Sequence, residues 1–83
     1  MHNLYVIDSI ETFDEAIASY EDTDKFQFVS DLQFDEVKNF KTGVILSIDL
    51  DGNTISLSTN ECWKFPKGAD VEITNGTIIC NLT

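Results

Sequence analysis

Val44 to Thr59, VILSIDLDGNTISLST, sets two alternating half-segments around Asp51-Gly52. That pair is favoured in two-residue turns whose central residues both take positive φ, the commonest way to close a β-hairpin. With Leu50 facing Asn53 across the turn, Ile48 would oppose Ile55 and Leu46 would oppose Leu57. These aliphatic residues share one side of the ribbon, because strand side chains alternate with period two. Ser47, Asp49, Thr54, Ser56 and Ser58 take the other side, with Ile45 its one apolar member. A slip of one residue would wet the whole apolar set, so the register is strongly specified.

Downstream, Asn60 to Phe65 reads as a third strand and Pro66-Lys67-Gly68 as a turn. Asp70 to Thr74 alternates acid with aliphatic. Asn75-Gly76 is a second hairpin signal. It would set Ile73 opposite Ile78 and Val71 opposite Cys80, on one face with Leu82, so Cys80 is expected to be buried. Ile78-Ile79 gives the last strand apolar side chains on both faces, and Leu4-Tyr5-Val6-Ile7 has the same character. Such a strand at a sheet edge invites association. These two strands should lie side by side, or one should be covered by a second chain.

Upstream, Thr12-Phe13-Asp14-Glu15 matches a capping box, and Phe13, Ala16, Ile17 and Tyr20 form one helical stripe. The spacing predicts a helix from Phe13 to Glu21. Lys25 to Ser30 alternates like a strand with Phe26 and Phe28 on one side. Ser30-Asp31-Leu32-Gln33 could cap a second short helix with Phe34, Val37 and Phe40 at intervals of three; an irregular aromatic-rich segment is the competing reading. Gly43 suits a helix end. No repeat, linker or low-complexity tract is evident. The expectation is a single domain over 1–83 of the α+β class: an antiparallel sheet of four or five strands, a C-terminal meander with two tight hairpins, packed against one or two short N-terminal helices.

Charge is the loudest feature of the composition. Fifteen Asp and Glu stand against five Lys and no Arg, a net charge of −10 over 83 residues. That balance argues against direct binding to nucleic acid or to an anionic membrane, whose phosphates need cations. It favours solubility and rapid association with a basic partner. No apolar run approaches the roughly 20 residues of a membrane span, and MHNLYVIDSIET lacks the basic start and cleavage site of a signal peptide. Cytoplasmic residence is expected, in the host cytoplasm if the gene is viral. Asn75-Gly76-Thr77 and Asn81-Leu82-Thr83 then match the glycosylation pattern by chance.

Few residues offer chemistry. Cys62 and Cys80 lack metal-ligand spacing, His2 is the single imidazole, and a zinc site needs about four N or S ligands. Both thiols are expected to be free in a reducing compartment. Asp49-Leu50-Asp51-Gly52-Asn53 resembles the start of a calcium loop, but Thr54 stands where that loop needs Gly and Asn60 where it needs Glu. No nucleophile–base pair and no Gly-rich phosphate loop is legible, so no enzyme, cofactor or metal is expected. Trp63 and Phe65 beside Lys64 and Lys67 are read as core packing rather than a base-stacking strand.

The acids are unevenly placed. Residues 1–43 hold ten acids and three lysines, residues 44–83 five acids and two lysines. Opposite the apolar stripe, the helix carries Glu11, Asp14, Glu15 and Asp22. Asp14 and Glu15 suit a first turn, whereas Glu21 and Asp22 sit near a C-terminus where acid is unfavourable. That conflict is a hint of function. The expected partner-binding set is Asp14, Glu15, Glu21, Asp22, Asp24, Asp35 and Glu36, docking on a basic, nucleic-acid-binding surface of another protein. Inhibitors made by phage against host defence or transcription share this profile. So do immunity proteins or antitoxins of nuclease toxins. A structural or assembly subunit joined through its sheet edge, including a homodimer, is the reading from a different class.

Overall fold

The alternation along Ile45–Asp49 and Thr54–Leu57 produces two strands that never pair with each other. The computed structural model describes residues 3–59 and 62–80. In chain order these form β1 (Leu4–Ile7), α1 (Ile10–Ser19), β2 (Asp24–Phe28), β3 (Leu32–Phe34), β4 (Lys38–Asn39), β5 (Ile45–Asp49), β6 (Thr54–Leu57), β7 (Trp63–Lys64), β8 (Asp70–Thr74) and β9 (Thr77–Cys80). Sheet neighbours are β1-β2-β5-β8, β3-β6-β9 and β4-β7, and every pairing between them is parallel. The chain therefore winds as a three-sided coil, whose two middle turns, β2-β3-β4 and β5-β6-β7, each lay one strand on each side. Partners in successive coils stand 21 to 25 residues apart, as Leu4 to Lys25 and Lys38 to Trp63 show.

This corrects the antiparallel α+β expectation. The turn at Asp51-Gly52 is present, with φ of 49° and 78° and a bond from Asn53 N–H to the Leu50 carbonyl at 2.8 Å. It makes a corner between two sheets instead of a hairpin. The residues flanking it bond to the next coil: Leu50 N–H donates to the Thr74 carbonyl, and Thr77 N–H donates to the Asn53 carbonyl. The second expected hairpin, at Asn75-Gly76, is likewise a corner, stacked on the first. Parallel strands usually read as continuous apolar runs because both faces are covered. Here the outer face of every coil is wet, so the strands alternate as antiparallel ones do. No repeat is evident in the sequence because the coils differ in length and few stacked positions carry the same residue, Ile73 over Ile48, Thr77 over Thr54 and Ile78 over Ile55 among them.

Side chains stack in rows along the coil. Tyr5, Phe26, Ile48 and Ile73 form one inward row, and Leu32, Ile55 and Ile78 another, each 23 residues after the last. The predicted inward set of Leu46, Ile48, Ile55 and Leu57 is buried, since one side of a hairpin and the inside of a coil demand the same alternation. Residues 30–40 form no second helix; Phe34 and Phe40 point inward from β3 and just after β4. Of the expected third strand only Trp63–Lys64 is present in the described residues, and Asn60 and Glu61 lie outside them. β1 and β9 belong to different sheets and are not neighbours.

The helix takes the place of two strands in the first coil and closes that end of the core. Of its predicted stripe, Phe13, Ala16 and Tyr20 are buried and Ile17 is partly buried against the core. Phe13 reaches the centre of the coil, stacked on Trp63 at 5.5 Å and edge-on to Phe34 at 4.8 Å. Among the described residues Trp63 Nε1 is buried with no hydrogen-bond partner, and the indole is packed against Phe13, Phe34 and Phe40. The helix starts three residues before the expected position. Ser9 is its N-cap and Thr12 its reciprocal partner, with Thr12 N–H donating to Ser9 Oγ at 3.2 Å and Ser9 N–H donating to Thr12 Oγ1 at 3.0 Å.

Candidate functional site: carboxylates beside the capping helix

A parallel coil must turn a corner on every side, and each corner leaves backbone N–H groups to satisfy. Several of the acids do this. Asp22 Oδ1 accepts from Ile45 N–H at 2.8 Å and Asp31 Oδ1 from Thr54 N–H at 2.7 Å, each tying its own coil to the next. Asp24 accepts from Asn3 N–H and Glu21 N–H, both at 2.8 Å, and is only 1 % exposed. Asp49 accepts from Asp51 N–H at 2.9 Å and Asn75 Nδ2 at 3.2 Å. The resemblance of this stretch to a calcium loop is therefore corner chemistry.

Two members of the expected binding set change meaning. Asp24 is a buried backbone acceptor, unavailable to a partner. Asp22 is exposed but engaged with Ile45. The unfavourable acid at the helix end is answered within the fold. Lys41 Nζ donates to the Tyr20 carbonyl at 2.8 Å, Lys41 N–H donates to the Tyr20 hydroxyl at 2.6 Å, and the ammonium lies 5.0 Å from the Tyr20 ring centroid. A cation from a distant segment thus occupies the negative end of the helix, which no local residue supplies. Glu21 stays exposed at that end and does not line the recess formed by Asp14, Asp35 and Glu36.

The remaining candidates gather at the start of the helix and the segment joining β3 to β4. Asp14, Asp35 and Glu36 line a recess of about 280 Å³ with Ile10, Gln33, Phe34 and Lys38. Lys38 is the residue that sequence reasoning missed. Its side chain is 10 % exposed, and its ammonium lies 2.7 Å from Asp14 and 3.9 Å from Glu36. A single lysine two residues after paired acids was the available signal, but its inward tilt depends on the coil. Gln33 Nε2 donates to Asp35 Oδ1 at 3.1 Å. Glu15 is exposed on the same helix.

The thiols separate. Cys62 is 1 % exposed, its sulfur donating to the Phe34 carbonyl at 3.4 Å, and the Ser58 hydroxyl and then the Thr59 backbone hold its thiol below the ordinary range. Cys80 is exposed, contrary to expectation, because no described residue covers the last coil above Leu57. Among the described residues no group of three or more His, Cys, Asp or Glu could hold a metal ion, and no helix is long and apolar enough to cross a membrane. No family model, curated protein or solved structure matches this chain.

Proposed function

We propose that this chain is a small acidic binding module that docks the carboxylates beside its capping helix on a basic surface of a partner protein. Asp14, Glu15, Asp35 and Glu36 would meet the partner's cations. The surface is one shaped for nucleic-acid phosphates, and occupying it would inhibit the partner, as in host-takeover or anti-defence inhibition in the cytoplasm. One observation carries this reading. Asp22, Asp24, Asp31 and Asp49 are spent on backbone N–H groups, whereas Asp35 and Glu36 accept none among the described residues and stand together with Asp14 around one recess. Lys38 holds Asp14 in place from below and leaves the cluster net negative. Clustered charge of this kind focuses the field that steers association.

The test is capture from the cells that make the protein, followed by charge reversal. A partner retained by the wild type should elute with salt and be displaced by added duplex nucleic acid. Asp35→Lys with Glu36→Lys should slow its association at least tenfold at low salt and flatten the salt dependence. Retention that survives the reversal unchanged would refute the reading.

A further inference from the structure

The inward rows are buried in mid-coil and open at the last coil. Ile48 and Ile55 are fully buried, but Ile73 and Ile78, the next residues in their rows, are partly exposed, and Cys80 above Leu57 is exposed. The helix closes the opposite end. Among the described residues nothing lies on the outer edges of β8 and β9.

The backbone of this end is directional. In a parallel ladder, alternate residues turn both N–H and C=O to the same neighbour. Thr74 gives its carbonyl to Leu50, so Asp70, Glu72 and Thr74 face β5. Val71 and Ile73 therefore turn theirs to the open side. By the same alternation Thr77, bonded to Asn53, faces β6, while Ile78 and Cys80 face outward. Free backbone groups thus coincide with half-covered aliphatic side chains, the combination that accepts an added strand.

We infer that the outer edge of β8 takes up an extended segment of a partner protein in which aliphatic and basic residues alternate. The inward side chains of that segment land on Val71 and Ile73. Its outward side chains stand beside Asp70 and Glu72, both exposed, where cross-strand neighbours of opposite charge are favourable and like charges are not. A second copy of this chain fits less well. β8 against β8 would bring Asp70 and Glu72 from both chains onto one sheet face. The β1 end offers a single strand edge, since the helix replaces the strands of the other two sides. This surface is separate from the recess, and the inference stands without it.

A labelled heptapeptide, lysine-valine-lysine-isoleucine-lysine-valine-lysine, and its glutamate counterpart provide the probe, read by fluorescence anisotropy and amide exchange. The lysine peptide should bind and protect the Val71 and Ile73 amides, with the glutamate peptide roughly tenfold weaker or worse. Asp70→Lys with Glu72→Lys should invert that preference. Val71→Pro, which removes an outward N–H and none that bonds β5, should abolish binding; Trp63 fluorescence checks folding, and if the variant unfolds the charge inversion decides. Asp35→Lys with Glu36→Lys should leave peptide binding unchanged. Equal affinity for both peptides, protection elsewhere, or loss of binding on the Asp35 and Glu36 reversal would overturn the inference. So would sedimentation as a dimer with Val71 and Ile73 already protected, which would make a second copy the occupant.

Discussion

Gly52 and Gly76 look alike in the sequence, each second in a turn pair, but the coil treats them differently. Gly52 has φ +78° and open space where a Cβ would stand, so only the backbone conformation resists a side chain. Gly76 lies directly over the corner below, where a Cβ would meet Leu50 Cβ and the Asn53 carbonyl oxygen. Gly52→Ala should cost about 1 kcal/mol through φ. Gly76→Ala should cost about 2 kcal/mol or more, because two coils must separate to admit it. Denaturant melts followed at Trp63 would order the two. A paired hairpin with open turn tips would show no such gap.

At the scale of the element, the helix tests how far local chemistry was readable. Thr12 belongs to the cap, but as the partner of Ser9 and not as the N-cap itself. Glu15 is thereby relieved of a capping role. Ser9→Ala should lower stability by about 1 kcal/mol, while Glu15→Ala should change it by less than roughly 0.5 kcal/mol. Thermal melts of the two variants separate the assignments. The capping-box pattern places the cap at Thr12 alone; Ser9 is a second hydroxyl residue ahead of the apolar stripe, and the chain leaving β1 sets it at the N-cap. The stripe itself was unambiguous, since a 3.6-residue period admits one buried face.

Across the whole molecule, Asp49 joins three coils. It lies 3.9 Å from Lys25 in the coil below, accepts from Asp51 in its own corner, and accepts from Asn75 in the corner above. The Asp51 N–H first, then the Asn75 amide, hold its carboxyl below the usual range. A depressed carboxylate stabilises the fold fully above its unfolded pKa, about 3.9, and loses that contribution as pH falls through the lower folded value. Acid titration of Trp63 fluorescence should therefore show Asp49→Asn less stable than wild type at pH 7, the difference shrinking below about pH 4. A difference constant with pH would remove the carboxylate from this role.

Sequence alone determined which residues of Val44 to Thr59 face inward, where the chain turns and which face of the helix is apolar. Periodicity and turn chemistry act over a few residues and have the same consequence in any fold. It also isolated the acids near the N-terminal half. The partner of each strand was a tertiary decision. A turn such as Asp51-Gly52 serves a hairpin or a corner equally, and the choice depends on β2 and β8, each more than 20 residues away along the chain, flanking β5 on both edges. The same winding sorted the carboxylates. Asp22, Asp24 and Asp31 meet backbone N–H groups 21 to 23 residues distant, while Asp14, Asp35 and Glu36 meet around Lys38. Composition counts charges, and only the stacked coils determine which of them are tied to the backbone.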